Sequence, residues 1–98
     1  MPERAWRRQN MVYFECPGCQ NIHGISIAAP GPVWTWNRRT DLPTITPSIL
    51  CNGDYPQSRC HSFVENGQIR FLGDCFHGLA NQTVDLPDIP DWAIGEAE

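Results

Sequence analysis

RCHSFVENGQIRFLGDCFHG, residues 59–78, is the stretch whose reading decides the fold. Asn66-Gly67 lies between two apolar runs, and a type I′ turn needs positive φ at both central residues, which asparagine and glycine tolerate best. Folding the chain about that turn sets Glu65 opposite Gln68, Val64 opposite Ile69, Phe63 opposite Arg70 and Ser62 opposite Phe71. Partners across a ladder share a face and successive residues alternate between faces. One face therefore carries Cys60, Ser62, Val64, Ile69 and Phe71, and extending the second strand adds Cys75 and His77. His61, Phe63, Glu65, Gln68, Arg70 and Leu72 take the opposite face. The hairpin over residues 60–75 thus brings Cys60 and Cys75 together at its base, with His61 pointing away from them.

A second cysteine pair precedes it in ECPGCQNIH, residues 15–23. Cys-x2-Cys is the commonest half-site for tetrahedral zinc, and the intervening Pro and Gly bend the chain so that both sulfurs can face one point. The two halves predict a Zn2+ site of Cys16, Cys19, Cys60 and Cys75. His77 is the first alternate ligand, followed by His61 and His23. A redox dithiol would place its first cysteine at the start of a helix, and NIHGISI lacks the character of one. Cys51, the fifth cysteine, reads as a small core residue.

The rest of the 98-residue chain reads as short strands: VYFEC, NIHGISIAA, PVWTWN, TITPSILC and QTVDL, punctuated by proline and glycine. The expectation is a small, mostly β domain with little helix, stabilised by zinc because a core of this size is marginal on its own. Residues 1–11 are expected to form a flexible basic arm, 12–87 the zinc-binding domain and 88–98 an acidic tail. All seven basic residues are arginines, the last of them Arg70, and the formal net charge is −4. Such a bipolar distribution favours a protein partner or self-association over a nucleic-acid backbone. No stretch approaches a membrane span, and no secretory signal is visible, which points to the cytoplasm and to free thiols.

Three motifs, Cys16-Pro-x-Cys19-x3-His23, Cys60-His61-Ser62-Phe63 and Asp74-Cys75-x-His77, together resemble a family of short proteins from tailed phages and prophages. The likeness runs from about residue 14 to residue 87. The family often carries the label "ammonia monooxygenase", a name belonging to a membrane copper complex whose site this sequence could not form. Related sequences occur beside ubiquitin-like conjugation genes, which implies work on proteins. The resemblance implies a small zinc-binding module in a host cytoplasm, binding or inhibiting a protein. Trp34, Trp36, Arg38 and Arg39 are the expected partner-binding residues, since aromatic and arginine side chains anchor interfaces. The alternative is a zinc hydrolase with an open metal position, in which Asp74, His61 or His77 serves the chemistry.

Overall fold

The computed structural model describes residues 3–90. Eight strands and no helix are found among them: β1 (Ala5–Arg8), β2 (Met11–Cys16), β3 (Asn21–Ser26), β4 (Thr35–Trp36), β5 (Ile45–Cys51), β6 (Cys60–Glu65), β7 (Gln68–Phe71) and β8 (Thr83–Asp85). They form a three-stranded sheet, β1-β2-β3, and a five-stranded sheet, β4-β5-β6-β7-β8. Within each sheet, strands adjacent in sequence pair antiparallel. The small β-rich fold read from the sequence is the fold observed.

The hairpin keeps the register set by Asn66-Gly67, from Glu65↔Gln68 to Ser62↔Phe71. Both turn residues have positive φ, 52° and 78°. Alternation then sorts the side chains, so that Cys60, Ser62, Val64, Ile69 and Phe71 are buried. In the smaller sheet the same rule buries Val12, Phe14 and Cys16 of β2 and Ile25 of β3. The two inner faces form one hydrophobic cluster, completed by Ile45, Ile49 and Leu86.

Two regions differ from the sequence reading. Residues 5–8 belong to β1 and not to a flexible arm: Ala5 and Trp6 are buried, and Trp6 stacks on Tyr13 with centroids 5.7 Å apart. An arginine-rich segment can form a strand when its apolar residues find cover and its charges face water. Of the strand expected over 32–37, only Thr35–Trp36 pairs with β5. Of the acidic tail expected at 88–98, residues 91–98 lie outside the described residues.

One irregularity shapes the site. Between Ile45↔Val64 and Ile49↔Ser62, β5 advances four residues while β6 advances two. Thr46, Pro47 and Ser48 thus all lie opposite Phe63, and Pro47 has no N–H to give to the ladder. Bulges of this kind bend a strand and re-aim its side chains.

Candidate functional site

The knuckle between β2 and β3 holds the first half of a Cys/His cluster that could hold a metal ion. The Gln20 amide donates to the Cys16 carbonyl at 2.8 Å, closing the turn, and the Cys19 amide donates to Cys16 Sγ at 3.3 Å. Cys60, at the start of β6, places its sulfur 3.9 Å from that of Cys16 and 3.6 Å from His77 Nε2. One ligand atom from each of Cys16, Cys19, Cys60 and His77 lies within 4.8 Å of the other three. A tetrahedral ion with bonds of about 2.3 Å to sulfur has sulfur–sulfur edges of about 3.8 Å. The four residues fit a metal ion.

The protonation chemistry points the same way. A hydrogen bond from Cys60 holds the Cys16 thiol down to about 6. Donating that bond pushes Cys60 upward, while burial pushes Cys19 up to about 12. Three sulfurs this close cannot all carry charge unless a cation sits among them. Burial also holds His77 below the ordinary histidine range, keeping the imidazole neutral as a ligand requires. Phe71 packs edge-on against the ring at 4.5 Å, and Phe76 does so at 5.2 Å. Gly18 approaches the same ring so closely that a Cβ there would collide with it.

The fourth corner is therefore His77, the alternate ligand of the sequence reading, and Cys75 stands elsewhere. The sulfur of Cys75 lies 3.2 Å from both the amide nitrogen and the carbonyl oxygen of His61, fastening the backbone of β6. His23 lies outside the four-residue group, with Nδ1 3.6 Å from Cys51 Sγ. Burial pushes the Cys51 thiol up and holds His23 below its ordinary range.

His61 faces the other side of the sheet, as the alternation of β6 requires. There Nε2 lies 3.1 Å from Ser48 Oγ, and Nδ1 lies 3.3 Å from Asp74 Oδ2. A hydroxyl, an imidazole and a carboxylate in this order form the hydrogen-bonded chain that activates a serine nucleophile. The bulge in β5 brings Ser48 to the imidazole. The Trp34 indole N–H fastens the Ser48 carbonyl at 3.2 Å. Asp74 comes from the turn after β7, where the Cys75 amide bonds the Leu72 carbonyl and the Phe76 amide bonds the Arg59 carbonyl. The imidazole is 26% exposed and the carboxylate 40%, so the group opens to solvent.

Ser48 was absent from the sequence reading, because only the bulge aligns it with His61. The serine that the Cys-His-Ser-Phe motif displays, Ser62, is fully buried in the core, and its Oγ has no hydrogen-bond partner. The even spacing of 13 residues from Ser48 to His61 and from His61 to Asp74 could not have found the group without the register.

The residues expected to meet a partner lie around β4, where Trp34, Trp36 and Arg38 line a surface cleft. Trp34 and Trp36 pack against the core, and the Trp36 indole N–H donates to the Arg39 carbonyl at 3.1 Å. Arg39 forms a two-pronged pair with Asp41, at 3.1 and 2.9 Å, which holds that carboxyl down to about 2. Arg38 is exposed at positive φ, 64°.

Residues 2–72 match the family model described as bacterial ubiquitination-like system serine protease (BubE). The chain belongs to this family. The matched span contains Cys16, Cys19, Ser48, Cys60 and His61, while Asp74 and His77 follow it. No curated protein and no solved structure matches the chain. The described residues form no helix, and so none long and apolar enough to cross a membrane.

Proposed function

We propose that this protein is a serine hydrolase of peptide or peptide-like bonds, acting on a protein of a bacterial ubiquitination-like system. Ser48 is the nucleophile, His61 the general base and acid, and Asp74 the orienting carboxylate. The observation that carries the reading is the continuous Ser48–His61–Asp74 hydrogen-bonded chain on an open sheet face. The family's description, a serine protease, agrees with that chemistry.

Ser48 Oγ attacks the carbonyl carbon of the scissile bond as its proton passes to His61 Nε2. Asp74 accepts the Nδ1–H bond, which fixes the tautomer and stabilises the imidazolium. The imidazolium then returns the proton to the departing amine nitrogen, leaving an acyl group on Ser48. Water attacks that ester, its proton passes to His61, and the serine is regenerated. The chain order here is Ser, His, Asp, unlike the three orders known from chymotrypsin, subtilisin and the α/β-hydrolases.

The cluster of Cys16, Cys19, Cys60 and His77 suits zinc, since three thiolates and an imidazole complete its preferred tetrahedron. With four protein ligands a bound ion would have no position left for substrate, and it would serve structure by tying the knuckle to β6 and to the turn that carries Asp74. This arrangement favours serine chemistry over an open-metal hydrolase.

A fluorophosphonate probe tests the assignment. Wild-type protein is expected to be labelled on Ser48, with labelling lost in Ser48→Ala and strongly slowed in His61→Ala. Labelling that persists in folded Ser48→Ala, or none in the zinc-loaded wild type, refutes it.

A further inference from the structure

A cleft of about 240 Å³ lies on the larger sheet, and Thr46, Phe63, Glu65, Gln68, Arg70 and Thr83 are among the residues that line it. Phe63 follows His61 by two residues on β6, so the two side chains are successive on one face. The cleft therefore begins one row of side chains from the catalytic pair. Arg70 is the register partner of Phe63, and its guanidinium carbon lies 4.6 Å from the centre of that ring. Among the described residues no carboxylate forms an ion pair with it. The nearby Asp85 is instead engaged by the Gln68 side chain at 3.1 Å.

An arginine resting on an aromatic face, with no ion pair of its own, offers a planar fork matched to a carboxylate. Stacking on Phe63 holds that fork in place, which lowers the entropic cost of using it. Diagonal neighbours on a sheet are about 7–8 Å apart, which places Arg70 that far from His61. An extended peptide advances about 3.3 Å per residue and turns alternate side chains to one side. Two residues along such a peptide thus span the step from the catalytic pair to Arg70. Glu65, opposite Gln68, is the diagonal neighbour of Arg70 on the side away from His61, so an anion meets Arg70 with least repulsion from the His61 side.

Building on the hydrolase reading, we propose that this cleft is a substrate subsite. In it Arg70 selects an acidic side chain, Asp or Glu, two positions from the scissile bond of an extended segment.

The test uses the full zinc-loaded chain and quenched peptides that differ only in Glu, Gln or Lys, placed two positions to either side of the cleaved bond. Wild type is expected to favour Glu over Gln by about tenfold in kcat/KM at one of the two positions, the low end for a charge-assisted contact in an open cleft. Arg70→Gln should level Glu with Gln, and Arg70→Glu should turn the preference toward Lys. For a peptide cleaved too slowly to measure, its protection of Ser48 from fluorophosphonate provides the same comparison. Equal treatment of Glu and Gln by wild type, or an unchanged preference in Arg70→Gln, overturns the subsite. Failure of the probe to label Ser48 would instead overturn the hydrolase reading, so the two failures are distinct.

Discussion

Replacing Asp74 by Asn keeps the shape of the side chain and removes its charge, which isolates what the carboxylate contributes to catalysis. Its interaction with the imidazolium formed during attack depends on solvent access. Two unit charges about 4 Å apart attract by about 1 kcal/mol in water and about 4 kcal/mol near a protein surface. With the carboxylate 40% exposed and the imidazole 26% exposed, the pair falls between these limits. The corresponding loss in rate is about 5-fold to 10³-fold. That is less than the roughly 10⁴-fold loss reported for the buried aspartate of chymotrypsin-like triads. The assay is the second-order rate of fluorophosphonate labelling at neutral pH, with circular dichroism to confirm the fold. An Asp74→Asn protein labelled as fast as wild type would show that the carboxylate has no part in the chain. A complete loss equal to that of Ser48→Ala would show that the solvent-screened estimate is mistaken.

Four further outcomes are expected. Stripping the metal with a strong chelator should unfold the domain and abolish labelling together, because a structural zinc contributes about 10–16 kcal/mol of apparent binding energy; elemental analysis should find one ion per chain, and a folded, active, metal-free protein would contradict the role. Gly18→Ala should push the His77 ring aside and weaken metal retention in a chelator competition, while an unchanged affinity would mean that the knuckle yields freely. Ser62→Ala should keep full labelling and raise stability by about 1 kcal/mol in denaturant unfolding, since it removes a buried hydroxyl with no partner; loss of activity would reopen the choice of nucleophile. Burial holds His23 below its ordinary 6.5, so the unfolded chain takes up that proton first and wild type should lose stability as pH falls below about 6.5; metal-loaded His23→Gln should show a flatter profile between pH 7 and pH 5.

Local chemistry made part of this architecture legible. Asn66-Gly67 set a register, and the register alone separated Cys60 from His61 onto opposite faces. The Cys-Pro-Gly-Cys turn announced half of the metal cluster. The choice between Cys75 and His77 was not legible, because after Phe71 the chain leaves the ladder and parity stops predicting direction. Ser48 was hidden for a related reason: the two extra residues in β5 shift everything beyond them, and no turn residue marks the place. The burial of Ala5 and Trp6 depended on a neighbouring strand, which the arginines around them concealed.

Cys60 and His61 are consecutive residues that serve opposite sides of one sheet, a thiol turned toward the Cys/His cluster and an imidazole toward Ser48 and Asp74. A slip of β6 by a single position would reverse both at once, burying the imidazole and exposing the sulfur to oxidants. On the proposed hydrolase reading, selection therefore could not adjust reactivity independently of cohesion, and any redesign that grafts Ser48, His61 and Asp74 elsewhere would have to transplant the clasp along with them.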